Sequence, residues 1–318
     1  MIAKQRRQDV LAAMDRIIER FPPEVYDEPN LEGLFTILDL SILIPNVFEL
    51  KHIDWRVTRL KIAGMIVEAF LNYQWDLQGL VYAGKPPVEE VAVDPRYARR
   101  VLDAWAVRVC PGDVIISFNW DLLHEVALWR AGRWSYRDGY GFICRDGPSA
   151  PRSAVEVLKL HGSVNWTQDD HDDAAPDVVH KQDFFPGALD GPDAYRKEAG
   201  QWDQGRKLII PTYLKTVSQN AILTRLWAKA GDALTHADEV IVIGYRLHNA
   251  DSAAHQLFTS SLLANQVRPQ VEVISPGGRS DDNWDDLCAI IGYPRPNRTR
   301  NPFEDWVLQA SNQVSQKP

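Results

Sequence analysis

Two short segments of the sequence carry side chains that could act on a bound ligand. The first holds Asn119 and Asp121, an amide and a carboxylate separated by one residue. The second holds His161, which is followed at once by Gly162 and Ser163. A histidine can accept a proton near neutral pH, and a neighbouring glycine lets a ligand approach the backbone closely. These residue types favour a site that binds a polar ligand and transfers a proton.

Each of these segments follows a short run of apolar, mostly β-branched residues, a pattern that is typical of a buried strand. The first run covers residues 113–118, and the second covers residues 154–160. Open α/β sheets bind their ligands at the carboxyl ends of parallel strands. We therefore predict that Asn119, Asp121 and His161 converge at one edge of a sheet.

Two later predicted strands also end in residues that could contact a ligand. Residues 238–247 read as a buried strand that ends in Gly244 and Tyr245, and residues 270–278 contain Ser275. Four strand ends that each carry a polar side chain or a glycine are hard to explain by helix capping alone. They predict one extended site along the edge of the sheet.

Each motif also has an ordinary structural interpretation, and the residues alone leave it open. Asn and Asp are good helix caps, so Asn119 or Asp121 could simply cap the helix predicted for residues 121–131. His161 could be a structural histidine whose hydrogen bonds are satisfied inside the fold. Whether the residues do chemistry depends on whether the segments meet in space.

The order of the predicted elements indicates an α/β protein. Residues 1–110 carry apolar residues at helical spacing and contain no strong strand pattern. Over residues 111–312, predicted strands alternate with helices, which is typical of a parallel sheet with helices on both faces. Residues 167–205 are polar and rich in Asp, Gly and Pro, so we interpret them as a surface insert.

Composition narrows the class of protein further. The formal net charge of −8 argues against direct nucleic-acid binding, which relies on a surplus of Lys and Arg. No apolar stretch is long enough to cross a membrane, and the first residues are charged rather than signal-like. Cys110, Cys144 and Cys288 lie far apart and cannot form a four-cysteine zinc site. We expect a cytoplasmic protein without a metal site.

The sequence between about residues 113 and 310 resembles the sirtuin superfamily. The stretch SFNWDLLHE, which contains Asn119 and Asp121, resembles the Asn-x-Asp motif of that family, and KLHGSVNW resembles its His-Gly segment. The stretches IIPTYLK and VIVIGYRLHNADSAAHQLF resemble later segments. The likeness is greatest to the sirtuin-like domains of bacterial antiphage defence systems. Each motif alone is weak, whereas their combination is specific.

The resemblance implies a Rossmann-like fold that binds NAD as a substrate. By analogy, Asn119 and His161 would be the catalytic pair, with His161 acting as a general base at the nicotinamide-side ribose. The implied reaction is hydrolysis of the nicotinamide–ribose bond, which would deplete an infected cell of NAD. The other residues that the resemblance places along NAD are Asp121, Gly162, Ser163, Gly244, Tyr245 and Ser275.

The sequence departs from the family in two features. Sirtuins open with a strand and a Gly-Ala-Gly type of loop that holds the pyrophosphate, but the only glycine in residues 1–50 is Gly33. We expect this loop to be missing, through truncation or real loss, and real loss would weaken NAD binding. The zinc-binding cysteine quartet of deacylating sirtuins is also absent, as it is in the defence group.

Two other functions stay open on the sequence. The first is a catalytically silent module that binds NAD or another nucleotide and regulates an assembly, which the missing loop favours. The second is an NAD-dependent protein deacylase, which the missing cysteine quartet disfavours. Defence-type relatives commonly stay inactive until they assemble, so the resemblance also implies an activating protein partner or a homo-oligomer.

Overall fold

The computed structural model describes eight stretches of the chain: residues 95–143, 151–168, 178–180, 206–208, 221–247, 251–275, 280–299 and 303–314. Most of the predicted helical region 1–110 and of the predicted insert 167–205 lies outside the described residues. The prediction that the chain divides at residue 110 therefore stays a prediction.

Helices and strands alternate along much of the described part. The helices there are α1 (Pro95–Ala106), α2 (Leu123–Arg130), α3 (Ala221–His236), α4 (Ser252–Ala264), α5 (Ser280–Ile290) and α6 (Phe303–Val314). The strands are β1 (Val114–Ser117), β2 (Glu156–Lys159), β3 (Gly162–Gln168), β4 (Val178–His180), β5 (Arg206–Leu208), β6 (Glu239–Ile243), β7 (Gln270–Ile274) and β8 (Asn297–Thr299). The chain is a mixed α/β protein, as predicted.

Parallel pairing occurs in two small sheets of the described residues. Strands β1 and β2 are parallel, with Val114 opposite Glu156, and β6, β7 and β8 form a second parallel sheet in that order. Helices α2, α4 and α5 follow β1, β6 and β7, so the predicted strand–helix alternation is confirmed for these elements. Strand β6 buries Val240 and Val242 but exposes Ile241 and Ile243, so it is buried on one face only.

The third sheet was not predicted. Strand β3 begins at Gly162, directly after the break that holds His161, and pairs antiparallel with both β4 and β5. The chain turns between β2 and β3, and Gly162 has a φ of 78°, a conformation that glycine adopts without strain. The segment 162–168 is therefore a strand, although the sequence was interpreted there as a polar strand end.

Two apolar clusters form the core of the part of the chain that the structure describes. The first contains the buried residues of β2 and α3, with Val157 and Leu226 fully buried. The second lies around β6, β7 and α5, and Trp284 is fully buried in it. Among the described residues, four side chains contact both clusters and join them near the end of β1: Ile116, Phe118, Trp227 and Leu257. Within the described part of the chain, no helix is long and apolar enough to cross a membrane.

Candidate functional site

The ends of β1, β2 and β6 meet around one phenylalanine. Phe118 follows β1 and contacts the His161 ring edge-to-face, with ring centroids 5.1 Å apart. The other contact is with Tyr245, which follows β6 and stacks on Phe118 at 4.2 Å with an interplanar angle of 4°. The three strand ends therefore converge, as the motif positions predict.

His161 is paired with a carboxylate that was not among the predicted site residues. The Nε2 atom of His161 lies 3.4 Å from Oδ2 of Asp251, and both side chains are more than nine-tenths buried. The hydroxyl of Tyr245 donates a hydrogen bond to the same Oδ2 atom at 3.2 Å. A histidine, a carboxylate and a phenol thus form one buried polar group at the strand ends.

Asp251 reaches this group because it also begins α4. Its Oδ1 atom accepts a hydrogen bond from the Ala254 amide at 3.1 Å, so the carboxylate is the N-cap of the helix. A negative charge at this end of a helix is favoured by the helix dipole. One oxygen of Asp251 is held by the helix, which leaves the other oxygen directed at His161 and Tyr245.

Two tryptophans fix the backbone around His161. The indole Nε1 of Trp120 donates to the His161 carbonyl at 2.9 Å, and that of Trp227 donates to the Leu160 carbonyl at 3.1 Å. The hydroxyl of Ser163 is fully buried and donates to the Trp120 carbonyl at 3.4 Å. The Asn-x-Asp and His-Gly segments are therefore linked directly, and Ser163 serves that link.

Asn119 and Asp121 occupy different environments. Asn119 is exposed beside Phe118, and its backbone amide donates to the Ser117 hydroxyl at 3.2 Å. The carboxylate of Asp121 accepts a hydrogen bond from the Leu123 amide at 3.0 Å. The N-cap position of α2 is Leu122 and no side chain caps the helix there, so neither Asn119 nor Asp121 is its cap.

Gly244 and Ser275 lie next to each other across β6 and β7. The amide of Gly244 donates to the Ile274 carbonyl at 3.1 Å, and Ser275 follows directly. Gly244 has a φ of 63°, and a Cβ atom added there would meet no atom of the described residues within 4 Å. Among these residues, the backbone at this strand end is open to a close approach. Ser275 is 9% exposed, and its amide donates to the Thr299 carbonyl.

A buried ion pair lies next to the site. The Lys159 ammonium is 3.0 Å from Oε1 of Glu125, and neither side chain has any exposed surface. Lys159 Nζ also donates to the backbone carbonyl of Asp121, and the hydroxyl of Tyr140 lies 3.4 Å from the same Glu125 oxygen. Both charged residues are inside the two motif stretches, yet their spacing alone gave no sign that they would meet.

This arrangement can hold and move a proton. A carboxylate beside a histidine orients the imidazole ring and stabilises the imidazolium that forms when the ring accepts a proton. Asp251 is placed to do this for His161. Among the described residues, no group of three or more His, Cys, Asp or Glu side chains is placed to hold a metal ion.

Comparison of the chain with known protein-family models and with curated proteins gives no match.

Proposed function

We propose that the protein is an NAD glycohydrolase, which cleaves the bond between nicotinamide and ribose. The observation that carries the proposal is that His161, paired with the buried Asp251 at 3.4 Å, lies beside the stretch that holds Asn119. The two motifs that resemble the sirtuin superfamily thus meet where a substrate could contact both. Under this proposal, the two parallel sheets belong to a Rossmann-like fold.

The reaction needs few protein groups. The C1′–N bond of NAD breaks through a state with oxocarbenium character, and its electron pair leaves with neutral nicotinamide. A water molecule adds to C1′ and loses a proton, giving ADP-ribose. His161 accepts that proton, or first deprotonates a ribose hydroxyl, and Asp251 stabilises the resulting imidazolium.

The remaining predicted residues have corresponding roles, except Ser163, which is fully buried and bonded to the Trp120 carbonyl and so does not contact the substrate. The exposed amide of Asn119 binds the nicotinamide and, with Asp121 behind it, favours departure of the ring. Gly244, Tyr245 and Ser275 lie along the adenosine half of the substrate, where the open backbone at Gly244 accepts a close contact. Gly162 provides the turn that presents His161.

The biological role follows from the resemblance. A cytoplasmic enzyme of this kind would deplete NAD during phage infection, and its activity would be switched on by a protein partner or by homo-oligomerisation. Hydrolysis of NAD only on assembly would protect an uninfected cell. No zinc is needed for the proposed reaction.

The test is nicotinamide release from NAD by the purified chain, compared with His161→Ala and Asn119→Ala. Loss of a general base commonly costs a factor of about 10²–10⁴ in rate, and we expect a loss of this order for His161→Ala. His236→Ala is the matched control, because His236 also lies beside a carboxylate, Asp232, at 3.3 Å but is exposed on α3. This control should keep full activity.

Three other outcomes would contradict the proposed site or favour one of the other two functions. Release that survives both substitutions would contradict the site. NAD binding without release, at every protein concentration tested, would favour the catalytically silent module. Release that requires an acylated peptide would favour the deacylase.

A further inference from the structure

Lys159 and Glu125 form the most deeply buried pair of opposite charges in the described part of the chain. Both side chains have an exposure of 0%, and Lys159 Nζ lies 3.0 Å from Glu125 Oε1. The second carboxylate oxygen, Oε2, is buried without a hydrogen-bond partner among the described residues.

Stability does not explain this pair well. Removing two charges from water is costly, and apolar residues of similar volume often give equal or greater stability at such a place. A buried carboxylate oxygen that lacks a hydrogen bond adds to that cost. The pair therefore has a role that a pair of apolar side chains could not fill.

What the ammonium adds is a connection between the two motif segments. Lys159 ends β2, shortly before His161, and its Nζ atom donates to the carbonyl of Asp121 in the other segment. Glu125 neutralises the ammonium and is fixed in turn by the Tyr140 hydroxyl at 3.4 Å. A methionine or leucine at position 159 could fill the space but could not donate to that carbonyl.

We propose that Lys159 and Glu125 are positioning residues that hold the turn of residues 119–121 against His161. Their effect on catalysis rests on the proposed function, whereas their effect on geometry does not. Disrupting the pair would let the turn move away, so Asn119 and His161 would no longer face one substrate together.

The link between the segments has a direct probe. The Trp120 indole N–H donates to the His161 carbonyl at 2.9 Å, and Trp120 is 7% exposed. Exchange of this indole hydrogen with solvent is followed by NMR in protein with labelled tryptophan. It reports whether the turn stays in contact with the His161 carbonyl. The signal is assigned through Trp120→Phe.

The experiment compares Lys159→Met with the matched control Lys229→Met. Lys229 also pairs with a glutamate of β2, Glu156, at 2.5 Å, but both side chains are more than a third exposed. In Lys159→Met, we expect the indole hydrogen of Trp120 to exchange at least about tenfold faster, beyond any change caused by global unfolding. In Lys229→Met, its exchange should stay as in the unsubstituted protein.

A second variant covers the case in which Lys159→Met does not fold. The double variant Lys159→Met/Glu125→Leu removes both charges and keeps the apolar volume, so it should fold while exchange of the Trp120 indole is still accelerated. Unchanged exchange in a folded variant would overturn the proposal. Failure of both variants to fold would also overturn it, because the pair would then be a stability element.

The effect of the Lys159–Glu125 pair on catalysis is measured on the same proteins. If the chain releases nicotinamide, kcat should fall in the folded charge-free variant by a larger factor than KM rises, because the contacts to the adenosine half remain while Asn119 and His161 are misplaced. A chain that releases no nicotinamide would contradict the proposed function only. The indole exchange would still decide whether the pair positions the turn.

Discussion

At the scale of single residues, the central feature is the carboxylate of Asp251. One oxygen caps α4 through the Ala254 amide, and the other lies between His161 and the Tyr245 hydroxyl. Helix capping and the orientation of His161 thus depend on the same side chain. The two roles can be separated, since asparagine also caps helices well but carries no charge.

We therefore predict that Asp251→Asn keeps the fold and loses activity. The amide oxygen still accepts from Ala254, so the free energy of unfolding should change by less than about 1 kcal/mol. Without the negative charge the imidazolium of His161 is no longer stabilised, and nicotinamide release should fall by about a hundredfold or more. Denaturant unfolding and the nicotinamide assay measure the two effects.

The control for this prediction is Asp232→Asn, which changes the exposed partner of His236. Equal activity of Asp251→Asn and Asp232→Asn would show that the carboxylate of Asp251 serves only as the N-cap of α4.

The sequence indicated some residues of this site and not others. Asn119 and His161 stood out because a polar side chain after a run of β-branched residues marks a strand end. Asp251 lay within a stretch that resembles a later segment of the family, and no catalytic role was predicted for it, since an Asp before a helix is ordinarily a cap. Lys159 and Glu125 gave no local signal, since only the fold brings a strand residue and a helix residue together.

At the scale of elements, an ion-pair cluster ties α5 to β8. Asp285 accepts hydrogen bonds from Arg295 Nε at 2.8 Å and from Arg298, whose side chain is 14% exposed. Burial on its own would raise the pKa of Asp285, but the two arginines outweigh it and hold this pKa below its usual value. The charged carboxylate is thus favoured in the folded chain.

This shift predicts a pH-dependent stability. Because the pKa of Asp285 is lower in the folded chain than in the unfolded chain, the stabilisation is fully present above about pH 4 and is lost as the pH falls through the folded pKa. Asp285→Asn should lower the free energy of unfolding by about 1–2 kcal/mol at pH 7. The difference from the unsubstituted protein should shrink below about pH 4.

Urea unfolding at a series of pH values measures this effect. Asp286→Asn is the control, since the neighbouring Asp286 is exposed. If the loss in unfolding free energy caused by Asp285→Asn stays constant down to pH 2, the assigned ion pairs would be contradicted.

Elements with clear periodicity could be predicted, and short ones could not. Helix α4 follows the strand predicted over residues 238–247, as the strand–helix alternation indicates, and β7 covers the first five residues of the strand predicted over residues 270–278. Strands β4 and β8 have only three residues each, too few to show a period of two. Apolar and polar residues do alternate along the sequence of β3, whose Trp166 is buried. This alternation was the signal that could have predicted the strand.

At the scale of the whole molecule, the two apolar clusters meet at the site. Phe118 contacts both of them and also lies against His161 and Tyr245. The site is therefore built where the β1–β2 sheet approaches the β6–β7–β8 sheet. The sequence predicted that these strand ends converge, but not that the strands form two separate sheets with an antiparallel third.

The most direct test of the central claim is backbone hydrogen–deuterium exchange with and without saturating NAD. Substrate bound at the converging strand ends should slow exchange together in three segments: residues 117–121, 161–163 and 244–247. Helix α6, which has no part in the proposed site, should exchange at an unchanged rate. Protection of the three segments by NAD is the result that we predict. No protection in any of them, or protection confined to other parts of the chain, would contradict an NAD site at these strand ends.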